Sequence, residues 1–206
     1  MLRGLVFAAA TFATLSIAHA AELDGVWMPE AQTVSNTQLW LNGMGLRTYS
    51  IFRVRIYVAG LYLEQRDDNA DNIVRSRGLK LLVIHFLHDV STEQAQTAWR
   101  EGFDQNCQSP CYLDPRAIQQ FLAQVPPARS GDTSSLLFSP KGVRITFDGR
   151  FLGSIEDRHF AEVMLDTFIG PVPPTPTLKR ELLGLDRVKA TQGSGIASVR
   201  AEGSED

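Results

Sequence analysis

The chain has little of what dedicated chemical centres are made from. Its 206 residues include two cysteines and four histidines, too few for a disulfide-built scaffold or for a zinc finger with its four ligands at short spacing. A metal held by Cys107 and Cys111 would need two further ligands, and His85, His88 and His159 stand at no recognisable spacing; no metal is expected. No basic block or aromatic nucleic-acid signature occurs, and the formal net charge is only -3, so nucleic acid is not an expected partner. Beyond the N-terminal segment, no stretch approaches the roughly 20 consecutive apolar residues of a spanning helix. No internal repeat is present, and no cofactor is expected.

What is present begins at the N-terminus. Arg3 precedes an apolar run from Leu5 to Ala18, closed by Ala18-His19-Ala20, the small-x-small pattern that signal peptidase cleaves. Residues 1–20 are expected to be a cleaved signal peptide rather than an anchor. Residues 21–185 then form one domain, periplasmic or secreted, with no stable membrane insertion after cleavage. Residues 186–206, rich in Gly, Ser, Ala and charge, read as a disordered tail. An oxidising compartment suits the cysteines: Cys107 and Cys111 enclose Gln-Ser-Pro, and Pro110 interrupts a helix, so the thiols can curl together into a disulfide. So small a loop is worth about 2 kcal/mol in the chain-entropy model. The spacing is one residue longer than a thioredoxin-type pair, which argues against a redox role.

Along the domain, strand patterns dominate. Residues 27–42 look extended, 51–64 are the strongest strand, and 78–87 form a compact apolar one. Ser91 or Thr92 caps a helix through Ala95, Ala98, Trp99 and Phe103, and Asp114-Pro115 starts another. From Ser134 the pattern returns to strand, with Asp148-Gly149 as a hairpin turn. Residues 156–169 read as an amphipathic helix, ended by Gly170 and the following prolines, before a short helix over 178–183. The expectation is an α+β domain: an antiparallel sheet with helices on one face.

The run from Leu41 to Leu63 carries the first functional clue. Gly43 and Gly45 suggest a glycine-spaced turn holding Arg47, followed by a strand that alternates Phe52, Val54, Ile56 and Val58 with Arg53, Arg55 and Tyr57. One face of that strand is expected to be apolar and the other polar and wet. Arg47 keeps its charge at any working pH, so an inward-pointing guanidinium needs a carboxylate, carbonyls, water or a ligand anion.

The motif Gly43-x-Gly45-x-Arg47, the strand end from Ala59 to Glu64, and DTFIGPVPPTPTLKRELLG from Asp166 to Gly184 together resemble chalcone isomerase-like proteins across residues 39–184. The resemblance implies an open-faced β-sandwich, a large antiparallel sheet covered by helices, with a ligand cleft between them. In the plant enzymes of that family an arginine holds a phenolate while hydroxyl groups and water polarise a ketone during ring closure. By resemblance Arg47 matches the arginine, Thr167 a pocket threonine, and Tyr57 the place of another threonine. The family's helix tyrosine falls near Ala95, a lysine near Val83 and an asparagine near Gly102. Losing donors that polarise a reacting carbonyl costs about 2.7 to 4 kcal/mol each, which argues against efficient chalcone cyclisation.

The resemblance also includes a non-catalytic branch that binds fatty acids, and the physical fit is direct, since a guanidinium takes a carboxylate bidentately. The leading expectation is therefore a binder of a small apolar carboxylate or a polyphenol-like ligand. Arg47, Tyr57 and Thr167 supply the polar groups, and Phe52, Ile56, Phe103, Phe160 and Phe168 the wall. Bland roles stand beside each: Arg47 pairing with an acid or capping carbonyls, Tyr57 as a structural tyrosine, Thr167 bonding its own helix, the phenylalanines as core. Two other classes stay open. One is an isomerase acting on an enone, with Arg47 catalytic; the other is an envelope interaction module using Trp27, Trp40 and a sheet edge.

Overall fold

A computed structural model of the protein describes residues 20–49 and 52–186. The residues expected to form a signal peptide, up to residue 19, and the expected tail from residue 187 lie outside the described residues, as do Ser50 and Ile51. In chain order the elements are β1 (Ala20–Leu23), β2 (Val26–Pro29), β3 (Ala31–Val34), β4 (Thr37–Tyr49), β5 (Val54–Leu63), α1 (Ala70–Arg75), β6 (Lys80–Phe86), α2 (Thr92–Asn106), α3 (Pro115–Leu122), β7 (Thr133–Ser139), β8 (Gly142–Phe147), β9 (Arg150–Ile155), α4 (Arg158–Ile169) and α5 (Pro176–Leu182). Strands β3 to β9 form one seven-stranded antiparallel sheet in sequence order. The expected α+β architecture is present, with the helices on one face.

Local chemistry fixes the boundaries. Asp148-Gly149 turns β8 into β9 with positive φ at both residues, as the sequence predicts, and Asp24-Gly25 does the same between β1 and β2. Ser91 caps α2 in a reciprocal capping box with Gln94. Asp114 and Asp157 cap α3 and α4, and Thr175 caps α5, which begins at Pro176. Helix α1 is capped by Asn69; its six residues carry too little periodicity to stand out in the sequence.

Both faces of the sheet's centre are covered. The helix face holds a core of Ala59, Leu61, Leu82, Ile84, Leu136 and Ile145 under α2, α3 and α4. The opposite face packs Leu39, Leu41, Val58, Tyr62 and Val83 beneath Met28 of the β1–β2 hairpin. The expectation of a wet polar face on β5 is therefore corrected: every residue from Tyr57 to Leu63 is buried, and the solvent-facing pattern ends at Arg55. The hairpin layer, invisible to a single-strand periodicity, is the reason.

Gly43 and Gly45 also differ from expectation, since they lie inside β4 and not in a turn. What requires glycine is space. A Cβ at Gly43 would fall on the carbonyl oxygens of Glu181 and Leu182, and one at Gly45 would stand 2.8 Å from Leu178 Cδ1. Helix α5 thus lies directly on the strand backbone. Asn42 Nδ2 donates to the Leu182 carbonyl at 3.0 Å, and the Leu46 N–H donates to Glu181 Oε2 at 2.9 Å.

Candidate functional site

The orientation of Arg47 is decided five residues upstream. Leu39 and Leu41 face the hairpin layer, and simple alternation would send Arg47 the same way. A β-bulge between Leu41 and Gly43 inserts Asn42 as an extra residue, which moves Gly43, Gly45 and Arg47 to the helix face. Asn42 is buried and holds the bulge by accepting from the Asp67 N–H at 2.9 Å as well as donating to α5. The register from this bulge onward sets Arg47 directly across from Tyr57, and a second irregularity just after that pair passes over Ile56, so that Thr48 pairs with Arg55.

Arg47 and Tyr57 form the polar corner of this face. The guanidinium carbon stands 5.9 Å from the centre of the Tyr57 ring, within the range of a cation–π contact. Burial raises the pKa of the Tyr57 hydroxyl, and Arg47 opposes that rise through its charge and a side-chain hydrogen bond. Tyr57 is therefore a neutral donor at any physiological pH. The edge of its ring meets Phe86, with centroids 6.2 Å apart, and Phe86 in turn meets Phe147 at 6.5 Å. Among the described residues no acidic side chain forms an ion pair with the half-buried Arg47. The carboxylate of Glu181 is turned to the Leu46 N–H instead.

The remaining expected site residues separate into three groups. Ile56 is half-buried against the helix-side core beside Tyr57, and its carbonyl accepts from the Leu87 N–H. Phe103, Phe160 and Phe168 sit deeper, in a ring cluster with Trp99 and Phe121 whose centroids are 4.9 to 6.0 Å apart. Phe52 is 83% exposed, just before β5, and does not join them. Thr167 is buried and its hydroxyl donates to the Met164 carbonyl at 2.7 Å, the helix-backbone role open to any helical threonine.

Positions aligned by resemblance can also be placed. Gly102 does face Thr167: a Cβ there would lie 3.2 Å from Thr167 Cγ2. Val83 points into the hairpin layer, so its neighbours Leu82 and Ile84 are the β6 residues that face the helices. Apolar side chains thus stand where a pocket lysine would act. Sequence reasoning passes over Phe86, Phe147 and Trp99, because their relation to Tyr57 and to the ring cluster depends on strand register and helix docking. A solvent-open hollow of about 490 Å³ lies elsewhere, lined by Asp114, Arg116, Gln120, Ser154 and Asp157, and contains none of the predicted binding residues.

A helix-covered antiparallel sheet with an arginine and a phenol facing each other across neighbouring strands defines an α+β protein with one polar corner beside an apolar layer. The family model for chalcone isomerase-like proteins matches residues 20–184, and the chain belongs to that family. Among solved structures, it is similar to a fatty-acid binding protein of Arabidopsis thaliana. The TM-score is 0.68 and the identity 15%, covering 84% of this chain and 100% of the plant protein. No curated protein sequence matches the chain.

Proposed function

We propose that the protein is a non-catalytic binder of a fatty acid or similar small apolar carboxylate, acting in the periplasm after signal cleavage. The observation that carries this reading is the Arg47–Tyr57 corner: a half-buried cation without an acidic partner among the described residues, beside a neutral phenol donor. A carboxylate placed there takes two charge-assisted bonds from the guanidinium and one from the hydroxyl. Its alkyl chain continues toward the apolar helix–sheet layer. The fatty-acid binding protein of matching fold supports the ligand class. Ring closure of an enone fits less well, because the Thr167 hydroxyl is committed to its own helix and Ala95 offers no hydroxyl.

The test is native mass spectrometry on the exported protein, purified without detergent and then supplied with palmitate and oleate. A bound mass equal to one acyl acid, lost in Arg47→Ala and partly retained in Arg47→Lys, is the expected result. Unchanged urea midpoints would show that both variants fold. A wild-type protein that stays empty at saturating acid, or an Arg47→Ala variant that binds equally, would overturn the assignment.

A further inference from the structure

The fold completes a cluster that sequence spacing leaves open. Cys107 caps the C-terminal end of α2, Cys111 follows in the next turn, and the two are joined as a disulfide with Cα atoms 5.1 Å apart. His159, the second residue of α4 and 48 positions from Cys111, brings its Nε2 to 3.4 Å from Cys111 Sγ. The two sulfurs and one imidazole nitrogen lie within 4.8 Å of one another. Both cysteines are half-buried and His159 is exposed, so reductant and cation can reach them.

We propose that the reduced Cys107–Cys111 pair and His159 form a binding site for a thiophilic d10 cation such as Zn2+, opened by dithiol reduction and closed when a disulfide oxidant takes back the two electrons and two protons by thiol–disulfide exchange. The geometry is near what the ion requires. With Zn–S about 2.3 Å and Zn–N about 2.0 to 2.1 Å, tetrahedral coordination puts sulfur and nitrogen about 3.5 Å apart and the two sulfurs about 3.8 Å apart. The Cys111–His159 separation is already there. The two sulfurs must part, and breaking their bond permits it, since Cys111 lies in the turn between α2 and α3; Cys107 Sγ already lies within 4.8 Å of the imidazole nitrogen. Three protein ligands beside an exposed imidazole leave the fourth position to water, the arrangement of an open site.

One thiolate of a dithiol reductant attacks a sulfur of the pair, breaking the S–S bond and forming a mixed disulfide. Its second thiol displaces the protein sulfur, so the reductant ends as a disulfide and the protein gains two electrons and two protons as two thiols. Binding of the cation releases those two protons to solvent. The site lies at the far end of α2 from the loop that follows β6, about 22 Å along a 15-residue helix. It shares no residue with the Arg47 corner.

The experiment uses the full exported protein, reduced with a phosphine, freed of reductant under argon and titrated with Co2+ and then Zn2+. Expected are thiolate-to-cobalt charge-transfer and tetrahedral visible bands saturating at one equivalent, bleached by Zn2+ and absent from the oxidised protein. Cys107→Ser/Cys111→Ser should abolish the bands. His159→Ala, an exposed position whose loss leaves the fold intact, should weaken Co2+ binding by at least about tenfold and change the visible bands. Arg47→Ala should alter neither. No charge-transfer band in reduced wild type, or His159→Ala binding as tightly as wild type with the same spectrum, would overturn the site.

Discussion

Asp166 lets the electrostatics of the fold be tested through pH. This α4 carboxyl titrates at about 6 instead of its ordinary 3.8, first because burial penalises the charged form, then because Asp71 and Glu162 repel it; Lys179 and Arg75 offset part of the rise. The folded state therefore holds this proton more tightly than the unfolded chain. Its contribution to stability is fully present below pH 3.8 and is lost as pH rises through about 6. At about 1.4 kcal/mol per pH unit, the upper bound is about 3 kcal/mol. Partial exposure and screening reduce that to about 1.5 kcal/mol. Asp166→Asn keeps the shape and removes the titration. Urea unfolding of both proteins from pH 3.5 to 7.5 should show the variant gaining about 1.5 kcal/mol on the wild type across that window. Offsets that do not vary with pH cancel in this comparison. A stability difference constant to within about 0.3 kcal/mol would refute the reasoning, since an unperturbed carboxyl gives no slope between these limits.

Two further outcomes test the packing. Gly43→Ala should lift α5, which buries Leu178 and Leu182 completely and holds the bonds from Asn42 and Leu46; a loss of about 3 kcal/mol in urea unfolding is expected, and a change below about 1 kcal/mol would mean the helix does not rest on the strand backbone. Ser91→Ala breaks the α2 capping box at a cost of about 1 kcal/mol, visible as a fall in Tm of about 2 to 4 °C, with no effect on the Tyr57 ring or its neighbours.

Much of the architecture is legible in the residues because it rests on local rules. Extended runs rich in apolar residues mark β5 and β6, Asp148-Gly149 dictates a hairpin, and Ser91, Asp114 and the Gly170–Pro176 stretch set helix ends. The direction of Arg47 is not legible in the same way. It depends on one inserted residue, Asn42, whose amide bonds to Leu182 and Asp67 lie 140 and 25 positions away, and no periodicity in β4 announces it. The glycines carry a similar lesson: their spacing signals a special backbone, but the cause is a helix 135 residues further on and not a turn. His159 joins the cysteines only because α4 returns beside the end of α2. In each case the missing information is tertiary, and the residues involved look ordinary until a distant element arrives.

The same filled core constrains how a ligand at Arg47 could be accommodated. Trp99 and the phenylalanines pack ring against ring with centroids 4.9 to 5.6 Å apart, so on the proposed reading an alkyl chain entering the helix–sheet layer there must displace side chains or part a helix from the sheet. The helices differ in how firmly they are held. Helix α4 buries eight of its residues, whereas α2 buries Phe103 alone among fifteen, and α2 meets α4 at Thr167 through the side-chain-free Gly102. Displacing α2 therefore sacrifices the least buried apolar surface per residue moved. If the open arrangement is populated at about 1%, the apparent dissociation constant is about a hundredfold weaker than that of the open site. On the proposed reading, affinity then depends on the cost of moving α2 as well as on the strength of the arginine contact. If the proposed binding reading holds, the polar, weakly buried sequence of α2 belongs to the binding equilibrium as well as to the fold.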